Sequence, residues 1–220
     1  MNMFGRKKKE SFSPELYEDN EIAYIEEHIE RYFGSYEGVF HEIVSPDIHL
    51  DIAIVDPTPE RDYYTLVTMG VGAHVMNIPE ELSKKEFGRT ELLIRLPSDW
   101  DIKNDKEIWY WPIRWLKIVG RLPIEHDTWL GYGHTIPSGE PFAKNTKFEC
   151  VMLVEPQNVD ENAMECQLPS GDVVNFYQLV PLYEDEMNLK LESDAETLSE
   201  LLLKVDGLDV VNISRKSALK

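Results

Sequence analysis

Residues 41–70 read HEIVSPDIHLDIAIVDPTPERDYYTLVTMG, and the alternation inside them decides the fold. Ile48, Leu50, Ile52 and Ile54 fall on one side of a period-two pattern and His49, Asp51 and Ala53 on the other, as in a half-buried strand. One face of the resulting sheet is therefore expected to be apolar and the other polar. The polar face carries His49 and Asp51, with His41 and Glu42 just before them and Thr65 and Thr68 just after, so recognition or chemistry is sought there first. Prolines fall in the turns Ser45-Pro46-Asp47 and Asp56-Pro57-Thr58-Pro59, where a missing backbone N–H costs the sheet nothing. The strands are expected at Val39–Val44, His49–Val55 and Tyr63–Thr68.

Upstream, residues 1–13 hold the basic run Arg6–Lys9 and nothing to bury, and are expected to be a disordered tail. From Pro14 to Phe33, Leu16, Ile22, Ile25, Ile29 and Phe33 recur at helical spacing, with Glu18, Glu26, Glu27 and Glu30 on the opposite, acidic face and Gly34 as the stop. Downstream, Met69–Pro79 combines two glycines with small residues and reads as a loop lying close to other backbone, not a phosphate loop, since no Gly-Lys-Ser/Thr follows. A strand is expected at Thr90–Leu96. Trp109–Gly120 then reads as a helix with Trp115, Leu116 and Val119 on one face. Strands return at Phe148–Val154, Ala163–Leu168 and Val173–Leu179, the last two joined by the turn Pro169-Ser170-Gly171-Asp172. Helices are expected at Glu184–Leu191 and Ala195–Val205, with Gly207 ending the second. The organisation expected is one α+β domain over residues 14–206, with a central mixed, mostly antiparallel sheet flanked by helices, and a C-terminal extension over 207–220. Ile52, Leu66, Leu92, Leu116 and Val151 are expected in its core.

With 41 acidic against 22 basic side chains, the net charge is −19. A broad nucleic-acid-binding face is excluded, because that affinity rests on cations releasing the counterions of phosphates. An acidic surface steers basic partners instead. The charge is concentrated in Glu15–Glu30 and Glu184–Asp209. Only Cys150 and Cys166 are present, without metal or redox spacing, and they read as buried free thiols. No run of 18 apolar residues points to a membrane and the N-terminus lacks the apolar core of a signal peptide, so a cytoplasmic protein is expected.

The joint order of the His41-Glu42 strand, the proline turn into TLVTMG, ELLIRLP ahead of Trp100, WPIRWLKIVGRLP, LGYGHTI and the late PLYEDEMNLKLE resembles the suppressor of fused domain family from about Tyr17 to Leu203. No single piece of this is a catalytic signature. The resemblance implies a mixed α and β domain that works by binding protein. It is similar to a short bacterial-type member, without the second, C-terminal domain with which the animal proteins clamp an extended peptide as an added strand. For short members the resemblance implies an immunity protein, or antitoxin, that binds and neutralises a toxin. The acidic balance suits a basic nuclease toxin. A regulator that holds a peptide by strand addition is the alternative.

Partner-contacting candidates are His49 and Asp51 on the polar face, Glu26 and Glu30 on the acidic helix, and Trp111, Trp129, Tyr132 and His134 in the aromatic middle. The competing class is a metal-dependent enzyme using His41, His49 and Asp51 with His74, His126 or His134. Its spacing is poor: there is no His-Glu-x-x-His helix and no nucleophile elbow. No catalytic residue, metal or cofactor is therefore expected.

Overall fold

Three consecutive extended segments between Gly38 and Met69 build one edge of the sheet, and prolines at 46, 57 and 59 keep the connections between them from forming helix. The computed structural model describes residues 13–220, so the tail expected at residues 1–13 lies, but for Ser13, outside the described residues. Strands β1 (Gly38–Phe40), β2 (Asp51–Val55) and β3 (Tyr63–Met69) form an antiparallel meander, with Ile52 opposite Thr68 and Ala53 opposite Val67. Strand β4 (Arg89–Pro97) continues it, antiparallel to β3, and runs parallel to β8 (Val173–Leu182). Antiparallel to β8 lie β6 (Cys150–Val154) and the short β7 (Glu165–Gln167), and β5 (Thr135–Pro137) closes the far edge. The order is β1-β2-β3-β4-β8-β6-β5, with β7 beside β8. One domain with a mixed, mostly antiparallel sheet and flanking helices is therefore what forms.

The helices are α1 (Asp19–Tyr32), the single-turn α2 (Lys84–Phe87), α3 (Glu107–His126), α4 (Glu184–Glu192) and α5 (Ala195–Leu203). Helix α3 packs on one sheet face against Leu50, Ile52, Leu66, Leu92 and Ile94. On the opposite face α1 covers Ala53, Val55, Val67 and Leu93, and α4 with α5 covers Cys150, Met152, Val180 and Leu182. The sheet thus has two buried faces, and the solvated polar face expected from the alternation does not exist. Ala53 is as buried as Ile52, because α1 supplies a second apolar layer. Ile52, Leu66, Leu92, Leu116 and Val151 all lie in the core.

Several boundaries differ from the sequence reading, and for α1, β1 and α3 the local reason is visible. Helix α1 starts at Asp19 and not at Pro14, since Glu15 is held in extended form beside Ile48 and the Glu21 carboxylate caps the Glu18 N–H. Strand β1 stops at Phe40 and not at Val44: Asp51 takes the Glu42 N–H, which leaves the ladder. Helix α3 begins before Trp109 and runs past Gly120. The Ile108 carbonyl, which Pro112 cannot serve, accepts the Asn145 side-chain N–H at 3.0 Å. Gly120 is a packing position and not a stop, for a Cβ there would meet Val71 Cγ2 at 2.7 Å and Leu50 Cδ1 at 3.0 Å.

Both cysteines are free and buried, with burial pushing the Cys150 thiol up to about 12 and the Cys166 thiol up to about 11, so both stay protonated. Residues 207–220, expected as an extension, lie against the same domain. Leu208 and Val211 are buried, and Arg215 is clamped between the rings of Phe148 and Tyr183 at 4.8 and 4.9 Å. Among the described residues no helix is long and apolar enough to cross a membrane.

Candidate functional site

The corner where β2 begins is built by side chains that fix a loop. Residues 41–50 leave β1 and re-enter the sheet at Asp51. Asp51 gathers three partners: the Glu42 N–H at 2.9 Å, His41 Nδ1 at 2.8 Å and His49 Nε2 at 3.3 Å. Ser45 Oγ lies 2.7 Å from the other ring nitrogen of His49. From α3, Arg121 donates to Glu42 at 2.6 Å and to Asp47 at 3.1 Å, all three side chains being largely buried. The second Glu42 oxygen accepts the Leu50 N–H at 3.3 Å. On the outer side the Glu15 N–H donates to the Asp47 carbonyl at 2.7 Å, and the Glu15 carbonyl accepts the His49 N–H at 3.2 Å.

Both ends of the loop are therefore tied, and the tip is not covered. Ile43 is 97% exposed and Val44 76% exposed. An isolated exposed aliphatic residue needs no explanation, but two adjacent ones on a loop held by charged hydrogen bonds are a presented surface.

A cavity of about 220 Å³ opens beside this loop, lined by Leu16, Ile22, Glu26, His49, Asp51 and Met69 among others. The structure thus brings His49 and Asp51 together with Glu26, while Glu30 stands exposed one helical turn further along α1. Behind the cavity lies Glu91, wholly buried, a residue the sequence reading passed over. One of its oxygens accepts from Tyr17 OH at 2.8 Å and from the N–H groups of Gly70 and Gly72 at 2.9 and 3.1 Å, and the other accepts from the Thr68 hydroxyl. Burial away from water outweighs these four donors and raises its pKa to about 7. Gly70 is obligatory here: its φ is +126° and a Cβ would fall 1.9 Å from the His49 carbonyl oxygen. The expectation that this glycine pair lies close to other backbone is met.

The aromatic candidates are elsewhere. Trp111 is wholly buried between Trp100 and Phe142 and touches no solvent, so it is a core residue and not a contact residue. Trp129 and His134 do come together beside β5, while the Tyr132 side chain lies by Glu196 of α5. The Trp129 and His134 rings meet edge to face at 4.4 Å, burial lowers the His134 pKa, and Tyr132 is raised by burial and by the charge of Glu196. Five strand spacings, roughly 24 Å at about 4.8 Å each, separate β5 from β2. The two groups of candidates are therefore two places and not one. Of the histidines only His41 and His49 meet, both on Asp51, whereas His74 pairs with Glu15 and His126 ends α3. Among the described residues no group of three or more His, Cys, Asp or Glu side chains is placed to hold a metal ion.

The family model for suppressor of fused protein (SUFU) matches residues 46–216. An uncharacterised protein of Ureaplasma parvum is 24% identical over 207 residues, covering 92% of this chain and 96% of that one. Among solved structures, a SUFU homologue from Neisseria gonorrhoeae superposes with a TM-score of 0.64 at 16% identity, over 91% of this chain and 97% of that one. A chain of the Sufu–Fu complex gives 0.64 at 16% identity, over 94% of each. Drosophila Suppressor of Fused gives 0.60 at 16% identity over 90% of this chain, which spans 50% of the fly protein.

Proposed function

Because the chain belongs to the suppressor of fused family, we propose that it is a protein-binding domain whose partner docks on the corner around His49 and Asp51, and that the partner is a basic toxin which the chain neutralises as an immunity protein. The observation that carries this reading is the fixed loop with its bare aliphatic tip. Ordering a loop is a large part of the cost of association, and here the cost is met before the partner arrives. The related Sufu is seen in a complex with Fu, which makes protein binding the natural use of this fold. The acidic α1 supports the choice of a basic partner: Glu18, Glu26 and Glu30 form no ion pair among the described residues and flank the same corner. Cytoplasmic neutralisation of a nuclease fits the charge, since a carboxylate surface occupies a cleft built for phosphates.

A second reading, strand addition, rests on β1. Among the described residues this three-residue strand is paired on one side only, and an extended peptide would add along its outer edge.

Two variants test the first reading in a binding-kinetics experiment with the product of the gene directly beside this one. Reversal of charge at Glu26 and Glu30 lowers the association rate several-fold, the rate falls as salt rises past about 0.1 M, and the melting temperature barely moves. Ile43→Asp leaves folding unchanged and weakens binding by about tenfold or more, through faster dissociation. An association rate indifferent to both salt and charge reversal would reduce the acidic surface to a solubility feature. Full affinity in Ile43→Asp would remove the loop from the interface.

A further inference from the structure

A second, larger cavity lies at the opposite end of β4 from the Glu91 corner. Strand β4 is nine residues long, so about 26 Å separates its two ends. Beyond Pro97 the chain turns through Asp99 into Trp100. There the strap of residues 208–214 runs alongside, with Val210 bridged to Arg95 and the Val211 N–H donated to the Arg95 carbonyl at 2.9 Å. Between strap and turn is a groove of about 670 Å³. This is the size that encloses a short peptide or a drug-sized molecule.

The groove is apolar below and acidic at its rim. Trp100, Trp109, Leu208, Val211 and Ile213 line it, and Leu203 at its lip is 59% exposed, an aliphatic side chain left in water by α5. Three carboxylates border it, Asp99, Asp206 and Asp209, and no Lys, Arg or His does. Asp209 is committed to Arg95 and to Asn158, whereas Asp99 and Asp206 form no ion pair among the described residues. A hydrophobic floor with unneutralised carboxylates above it attracts an occupant that is aliphatic in the middle and cationic at its ends, and the indole face of Trp109 adds a surface that favours a cation.

We infer that this groove between the strap and the Trp100 turn is a second binding site, which takes a short peptide segment whose aliphatic side chains are flanked by lysine or arginine. It stands apart from the loop tip at Ile43, and neither site needs the other to be occupied. The strap supplies the specificity, because Arg215 and Glu186 hold its far end rigid in the fold.

The five tryptophans provide internal probes, since each gives one indole N–H signal in a nitrogen-15 NMR spectrum. Titration of the full chain with an end-blocked pentapeptide of lysine, leucine, valine, leucine and lysine is expected to shift the Trp100 and Trp109 signals saturably, with a dissociation constant below about 1 mM. The signals of Trp115 and Trp129 stay in place. The paired variant Asp99→Asn with Asp206→Asn, both exposed and outside the core, weakens binding by about three- to tenfold. The Ile43→Asp variant binds the peptide as the unaltered chain does, so this result and the fate of the toxin-binding reading are separable. No shift at millimolar peptide, a shift confined to Trp129, or equal binding of a peptide carrying glutamate in place of both lysines would overturn the assignment.

Discussion

Glu91→Leu is expected to lower stability at pH 5 by roughly 3 to 9 kcal/mol, because it strands the Tyr17 hydroxyl and the Gly70 and Gly72 N–H groups with no acceptor inside the fold, at about 1 to 3 kcal/mol each. Urea unfolding reads this directly. Glu91→Gln behaves oppositely, since its oxygen can accept the three bonds while its amide donates to Thr68. The pH dependence follows from the carboxyl itself. Its folded pKa, about 7, lies above the ordinary 4.5, so between those values the folded chain keeps a proton that the unfolded chain has released. The stability this group contributes is fully present below pH 4.5 and is lost as pH rises through 7. Over that interval the loss amounts to about 3 kcal/mol. Glu91→Gln has no proton to lose. Its stability relative to the unaltered chain should therefore climb between pH 5 and 8, and a difference that stays flat with pH would show that Glu91 is ionised throughout.

Arg215→Ala is expected to cost about 3 to 5 kcal/mol, as does the loss of one partner from a buried ion pair generally. Glu186 is wholly buried and keeps only the N–H groups of Tyr183 and Ala218, each at 2.8 Å, once the guanidinium is gone. The rings of Phe148 and Tyr183 also lose the cation between them. The paired replacement Arg215→Met with Glu186→Leu should recover most of the loss, because no charge is then left alone. A urea midpoint equally low in the single and the paired variants would place the effect in packing and not in charge. In Arg215→Ala the segment from Gly207 onward becomes the first site of proteolytic cleavage, since its far anchor is removed.

How much of this was legible in the chain varies with the range of the interactions. The alternation of Ile48 to Ile54 reports its strand because period two is a local property, and the Asp56 to Pro59 turn follows from proline chemistry alone. The second buried face does not follow from the same residues. Ala53 sits between Ile52 and Ile54 like any residue turned to water, and only the docking of α1 buries it. Glu91 is hidden for a similar reason. In ELLIRLP it reads as a solvent-facing carboxylate, and its four donors come from positions 17, 68, 70 and 72. His49 and Asp51 are legible as polar positions of the strand because the alternation singles them out. The tip at Ile43 and Val44 was missed because aliphatic residues after a strand look like more strand. Trp111 was misplaced because helical spacing does not separate an aromatic anchor from a core residue. The strap at 208–214 has no period of either kind, so nothing marks it as one wall of a groove.

On the proposed reading, the corner at His49, Asp51 and the Ile43–Val44 tip binds and silences a basic toxin. Bacterial growth with the gene directly beside this one induced, in the presence of this chain or of its Ile43→Asp variant at matched, folded abundance, tests it. The account predicts arrested growth without the chain, restored growth with it, and arrest again with the variant. Restoration by the variant as complete as by the unaltered chain, or arrest that the unaltered chain leaves untouched, would contradict it.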